Sequence, residues 1–444
     1  MTSLKLTRTL TLWPLIIMGL AYMTPLIVLG TFGIIAGASN GTVPMAFLIT
    51  TFAMLFTANS YGIMARRYPI AGSAYTFARK SIDNRVGFMV GWTILLDYFF
   101  LPMVIWLIGA AYLGAQFPEV PQWIFLTGFV LLTTFINYVG IKAATKLNSV
   151  LMIFQLAVMV IFVGLSLSDV YGNAGITSLF SLKPFFNEAS SLSIVLAGSS
   201  IAAYAFLGFD AITTFTEETI EPEKTVPKAI MLCTLFAGVI YVGVGYTTQL
   251  VNPGFIFDNT DSAAFEIAAN IGGNLFAAIF LAAMITAQFM SGISAQASVS
   301  RLLFAMGRDG VLPKKVFGFL HPKYLTPIGG IILSSVAASL ALFFDVMQAA
   351  SLINFGAFVA FIFVNISVIF TYVKDTKKGI ATGSKLLNLV FPAIGTGVTF
   401  YLMTKLDLNA LTVGSIWLGF GFVYLIYLTK GFKQPTPALH FEES

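Results

Sequence analysis

Tyr204-Ala205-Phe206-Leu207-Gly208-Phe209-Asp210 sits inside an apolar run, 192–216, and interrupts it in two ways. Gly208 loosens the helix, and Asp210 puts a carboxylate where hydrocarbon is expected. A charge inside a membrane segment is costly and marks a functional position. A broken helix at membrane depth is tolerated only where its freed backbone groups face protein or a water-filled cavity. Together they point to a substrate or ion site near the midplane. The run leaves the membrane through Glu217-Glu218 and continues as Glu221-Pro222-Glu223-Lys224-Thr225-Val226-Pro227-Lys228-Ala229-Ile230. Glu217 and Glu218 are expected to pair with Lys224 or Lys228 at the interface.

The rest of the chain fits this setting. Its 444 residues are 57% hydrophobic and 10% charged, against about 25% charged in soluble proteins. Twelve apolar segments approach the roughly 20 residues a span requires. They are 12–37, 43–64, 86–114, 122–139, 149–167, 192–216, 229–250, 273–297, 327–344, 353–373, 386–404 and 411–429, numbered 1 to 12 below. The first is read as a retained span rather than a signal peptide. Of the 24 basic residues, 22 flank the termini or follow even-numbered segments, and only Lys183 and Lys405 fall on the other side. The positive-inside rule places both termini in the cytoplasm.

Several function classes drop out. One cysteine, Cys233, allows no intramolecular disulfide and no CxxC metal site, and both His321 and His440 lie outside the segments. No GxxxxGK[ST] motif is present, so ATP-driven transport and an ATPase subunit are not expected. There is no nucleophile–base arrangement for an enzyme. The basic loops set topology, with no nucleic-acid partner implied.

Segment 1 contains Gly19-Leu20-Ala21-Tyr22-Met23-Thr24-Pro25, where Gly and Pro together weaken the helix. Interrupted segments five apart point to an inverted-repeat transporter with its site between the breaks. The expectation is one all-α membrane domain over 1–444: a first repeat at 12–167, a second at 192–373, and two extra helices within 386–429. Asp97 lies ten residues beyond Gly87, about 15 Å into segment 3, at a depth similar to that of Asp210. Both carboxylates are therefore expected to face one cavity. Acidic groups without basic neighbours suit an ammonium or a proton, and Tyr22, Trp92, Tyr98, Tyr204 and Phe206 offer cation–π faces. The structural alternatives are a helix cap for Asp210 and an interhelical hydrogen bond for Asp97. Residues 300–313 read as a short cytoplasmic helix stopped by Gly310 and Pro313, and 168–191 as an outer cap.

Three stretches carry a family likeness: Tyr68-Pro69-Ile70-Ala71-Gly72-Ser73-Ala74-Tyr75, the run from Phe206 through Asp210 to Ile230, and Arg301 to Pro313. With them the chain resembles the amino acid–polyamine–organocation transporter superfamily. Gly19–Pro25, Val86–Trp92 with Leu96-Asp97-Tyr98, and Leu352–Phe361 are similar to bacterial putrescine importers. The resemblance implies twelve helices in a five-plus-five fold, a bacterial cytoplasmic-membrane location and import driven by the proton gradient, with no cofactor. It also implies an aromatic and an acid beside the substrate on segment 6, matching Tyr204 or Phe206, and Asp210. The substrate-binding set is then Asp210, Asp97, Tyr204, Phe206, Gly208, Tyr22, Met23, Thr24 and Tyr98. Asp97 is a candidate proton carrier, and Ser291 or Ser294 with segment 1 carbonyls a candidate sodium site. One departure is Gly30, where the putrescine importers carry an acid in segment 1; this leaves room for a monoamine or an amino acid. Amino acid relatives bind the substrate carboxylate on free amides at the segment 1 break. Here the break lacks glycines and Pro25 has no N–H, though Thr24 can still donate. A small amine is the leading substrate, an amino acid the alternative, and lipid the other partner.

Overall fold

The computed structural model describes residues 8–69, 73–140, 144–308, 310–324, 326–380 and 383–436, with side chains at all of these except 144–149, 217 and 305. Ile70 to Gly72 of the expected turn, Lys142, Asp309, His440 and the Glu217 side chain lie outside this description.

In hydrocarbon every backbone donor and acceptor needs a partner within the chain, and the apolar segments meet that demand as helices. Among the described residues there is no strand, only an isolated bridge between Leu10 and Thr219. Among the described residues eleven helices are long and apolar enough to cross a membrane, and segment 9 is a shorter apolar helix, Ile328–Phe343. The chain is an all-helical, multi-pass membrane protein.

Several boundaries differ from expectation. Segment 1 is helical over Leu12–Met23, turns left-handed at Thr24 (φ 50°), and resumes as Ile27–Gly30 and Phe32–Ala38. Gly19 stays helical; its role is close packing, since a Cβ there would lie 2.6 Å from Ile212. Residues 263–308 are two helices that meet at Gly273 (φ 67°); the second is segment 8 and runs on to Arg308, so residues 300–308 extend the span rather than forming a separate helix. Gly310 (φ 76°) follows its end. The outer cap is built from segment 5, which runs on to Ala174, followed by a 3₁₀ turn, Ile176–Phe180. Lys224 pairs with Glu221 at 3.2 Å, the residue at the N-cap of its own helix, rather than with Glu218.

Lipid gives helices no hydrophobic reason to associate, so small residues and polar contacts hold them. Segment 10, Val346–Lys377, crosses segment 3 at Gly356, where a Cβ would meet Thr93 O at 2.9 Å and Asp97 N at 3.1 Å. Asn365 of segment 10 accepts from Ser60 at 2.6 Å and donates to Thr57 at 3.2 Å, fixing segment 2. At the basic end of the same pair, Arg67 forks onto Asp375 at 2.5 and 3.2 Å. Segment 12 docks on segment 3 through two tryptophans: Trp92 Nε1 donates to Trp417 O and Trp417 Nε1 to Trp92 O, at 3.0 and 2.9 Å. Trp92 therefore belongs to this joint rather than to a substrate site.

Candidate functional site at the paired helix breaks

Segment 6 stops being an α-helix at Ala202. A 3₁₀ turn follows over Ala203–Phe206, Leu207 is extended, and Gly208 adopts φ 119°, a conformation closed to residues with a Cβ. The chain resumes as a 3₁₀ helix, Asp210–Glu218. The two breaks meet face to face: a Cβ on Gly208 would lie 2.5 Å from Tyr22 Cδ1 and 3.3 Å from Met23 Cγ.

Helix ends leave carbonyls without partners, and the neighbouring helices supply donors. Asn354 Nδ2 donates to Ser200 O at 2.8 Å and to Ile201 O at 3.4 Å. Tyr241 donates its hydroxyl to Ala205 O at 2.7 Å. On segment 1, Tyr112 donates to Leu29 O at 2.8 Å. Two amides at that break are engaged, Thr24 N on Ala21 O and Ile27 N on Thr24 O. Pro25 has no N–H, which leaves the single Leu26 amide to meet a carboxylate there.

A cavity of about 690 Å³ opens beside the breaks, between segments 1, 3, 5, 6 and 8. This is within the usual range for small-molecule sites. Tyr22, Met23, Thr24, Tyr204, Ser291 and Ser294 line it, as do Gln155 and Gln288. Among the described residues no charged side chain is on its wall. Ser294 donates to Met290 O at 3.0 Å, so its oxygen remains an acceptor. The cavity also reaches Ile17, Met18, Met152 and Phe215, toward the basic end of the bundle. At the opposite end segment 1 closes on the start of segment 8, where a Cβ on Gly33 would overlap Thr260 O.

Asp97 and Asp210 do come together, each within range of the other's charge. They are not on the wall of this cavity. Tyr22 belongs to both groups: it lines the cavity and lies in the field of both carboxylates. Tyr98 stands in the same field. The Asp210 carboxylate lies near the backbone amides of Gly208, Asp210 and Ala211, at the first residue of a 3₁₀ helix whose N-cap is Phe209. One oxygen of Asp97 is buried without a hydrogen-bond partner.

Tyr204 and Phe206 separate. Three residues per 3₁₀ turn put positions i and i+2 on different faces. Tyr204 lines the cavity, whereas Phe206 is fully buried with its ring edge-on to Tyr241 at 5.1 Å. Phe206 is a core residue. Gly30 is buried too; the direction of its missing Cβ points between Ile27, Ile108 and Gln288 Nε2, the last 3.7 Å away.

Sequence reasoning missed Asn354 and Tyr61. Tyr61 of segment 2 has a buried hydroxyl without a partner, in the field of Asp210 and Asp97. Its one signal was its place at the end of Thr57-Ala58-Asn59-Ser60-Tyr61, the most polar stretch of segment 2.

The sequence profile described as "Amino acid permease" matches residues 15–429. This chain belongs to that family. The permease is 39% identical to the low-affinity putrescine importer PlaP of Escherichia coli, over 98% of this chain and 97% of that protein. It is 25% identical to the branched-chain amino acid permease BcaP of Bacillus subtilis, over 91% and 89%. A methylthioribose transporter of the same organism is 26% identical over 96% and 95%. These relatives are transporters, not enzymes, and the permease joins them as a multi-pass membrane protein.

Proposed function

We propose that this permease imports putrescine or a related small amine across a bacterial cytoplasmic membrane, coupled to protons, by alternating access. Its twelve segments would then form two inverted five-helix repeats with two helices outside them. The observation that carries this reading is the charge arrangement: a cavity with no basic side chain among the described residues of its wall, joined through Tyr22 to two carboxylates within the helices. An ammonium entering the cavity would find the Tyr22 and Tyr204 rings and the field of Asp97 and Asp210. The unpartnered oxygen of Asp97 is placed to take a proton, which makes it the preferred coupling group. The likeness to a putrescine importer supports the same substrate class. A cavity reaching the basic end, with closure at the other, corresponds to an inward-facing state. A dication moving inward gains about 4.6 kcal/mol per 100 mV from the membrane potential.

One feature favours an amino acid instead: Gly30 leaves segment 1 without a carboxylate. Uptake of radiolabelled putrescine into proteoliposomes under an imposed proton gradient separates the two. Accumulation, abolition by a protonophore, and at least tenfold loss in Asp97→Asn support amine import. Failure of putrescine to enter or compete, while a neutral amino acid does, overturns it.

A further inference from the structure

Gln288, on segment 8, is 1% exposed and lines the central cavity. Its Nε2 donates to Met284 Sδ at 3.6 Å. A thioether sulfur only accepts, so this contact fixes the NH₂ end and leaves Oε1 as the free end. Among the described residues Oε1 has no donor, and it is not sealed within the packing as Asn187 Oδ1 and Gln249 Oε1 are. It is an unpaired acceptor open to the cavity that its residue lines.

The amide lies far from the carboxylates. The missing Cβ of Gly30 points at both Ile108 Cγ2, 3.4 Å away, and Gln288 Nε2, 3.7 Å away. The amide is therefore near the level of Ile108 on segment 3. Asp97, Leu101, Ile105 and Ile108 share one face of that helix. Ile108 is eleven residues past Asp97, about 16 Å along the axis at the helical rise. Leu101 and Ile105 line the cavity between these levels, together with Ile27 of segment 1. The cavity thus has an aromatic end at Tyr22, beside the carboxylates, then an apolar stretch, then a neutral acceptor.

We propose that Gln288 is a specificity-determining residue: its carbonyl oxygen receives a second donor group, an ammonium or a hydroxyl, at the far end of an elongated alkylamine whose first ammonium sits at Tyr22. With about 3 Å allowed for the contact at each end, the two donor groups stand about 10 Å apart. A four-carbon diamine spans only about 6 Å between its nitrogens, and a chain of about seven or eight carbons covers the distance. Putrescine then reaches one end of the cavity at a time. A terminal methyl leaves Oε1 unpaired, and a terminal carboxylate meets it with like polarity, so both are disfavoured. The inference rests on the amine reading of the cavity and adds the length and far-end chemistry of the cargo.

The test is displacement of radiolabelled putrescine from the full chain in lipid nanodiscs by diamines and monoamines of increasing length. Comparing each diamine with the monoamine of equal length removes the apolar contribution of the chain. The diamine-to-monoamine affinity ratio should rise about tenfold or more between four and about eight carbons, as expected for a hydrogen bond to a charged group. An amino alcohol of the longer length should also outcompete its monoamine. Gln288→Met should abolish the rise, whereas Gln288→Glu, which keeps the acceptor, should preserve or increase it. Displacement by the short monoamine reports whether each variant is folded, and the wild-type profile decides by itself if neither is. A ratio that stays flat with length in the wild type, or a rise that persists in Gln288→Met, overturns the proposal. Failure of putrescine to bind at all is a different result: it overturns the amine reading of the cavity, and this proposal with it.

Discussion

Replacing Gly208 by alanine tests the contact on which the site is built. Two costs follow from the structure. The backbone sits at φ 119°, and holding a residue with a Cβ there costs about 1–3 kcal/mol. The new methyl would lie 2.5 Å from Tyr22 Cδ1, an overlap that costs about another 1–3 kcal/mol when the neighbour must yield. The Tyr22 ring lines the cavity and lies in the field of both carboxylates, so its displacement should reach substrate binding as well as stability. The assay is a double-mutant cycle with Tyr22→Ala, read by thermal unfolding in detergent and by putrescine uptake in proteoliposomes. Gly208→Ala alone should lose about 2–6 kcal/mol. In the Tyr22→Ala background the steric part disappears and the backbone part remains, giving a coupling energy of about 1–3 kcal/mol. Additive effects, or a Gly208→Ala protein as stable and active as wild type, would mean that the two breaks do not touch.

Other substitutions divide site from scaffold. Tyr204→Ala should lower apparent amine affinity about tenfold, whereas Phe206→Leu, which loses ring volume and the edge-on contact to Tyr241, should cost about 1–3 kcal/mol of stability and leave KM for uptake unchanged; the opposite pattern would exchange their roles. Asn354→Leu leaves the Ser200 and Ile201 carbonyls without their donor and should lower thermal stability by about 1–3 kcal/mol, with Asn354→Asp failing to rescue because it cannot donate in its ionised form. Arg67→Lys loses the two-pronged contact to Asp375; because Arg67 is 40% exposed, the loss should be near 1 kcal/mol and shrink in high salt. A stability change in Arg67→Lys that ignores salt would show that the contact is packing rather than charge.

Much of the architecture was legible because hydrocarbon imposes strict rules on composition. Long apolar runs had to be helices, and the two interruptions, Gly19–Pro25 and Gly208–Asp210, could be found by reading for residues that do not belong there. The family likeness and a carboxylate at membrane depth followed from the same residues. The end of segment 8 is not legible in the same way: Ser300-Arg301 reads as interfacial, while the helix continues to Arg308.

The sequence by itself determined the helices, their number to within the short segment 9, and the places where two of them fail. Only the tertiary structure decided what those failures face. Trp92 could have met a cation and instead meets Trp417. Tyr204 and Phe206 are equivalent as aromatic letters, and the 3₁₀ turn sends one to the cavity and the other to Tyr241. Asp97 and Asp210 share a depth in the sequence, yet the cavity wall beside them belongs to Tyr22, Gln155, Gln288 and the serines of segment 8. The physical reason is that composition fixes whether a segment can live in lipid, through backbone hydrogen bonds made within that segment. Which face of a helix is a wall, a core or a lipid contact depends on rotation and on neighbours remote in sequence, and those are settled only when the helices pack.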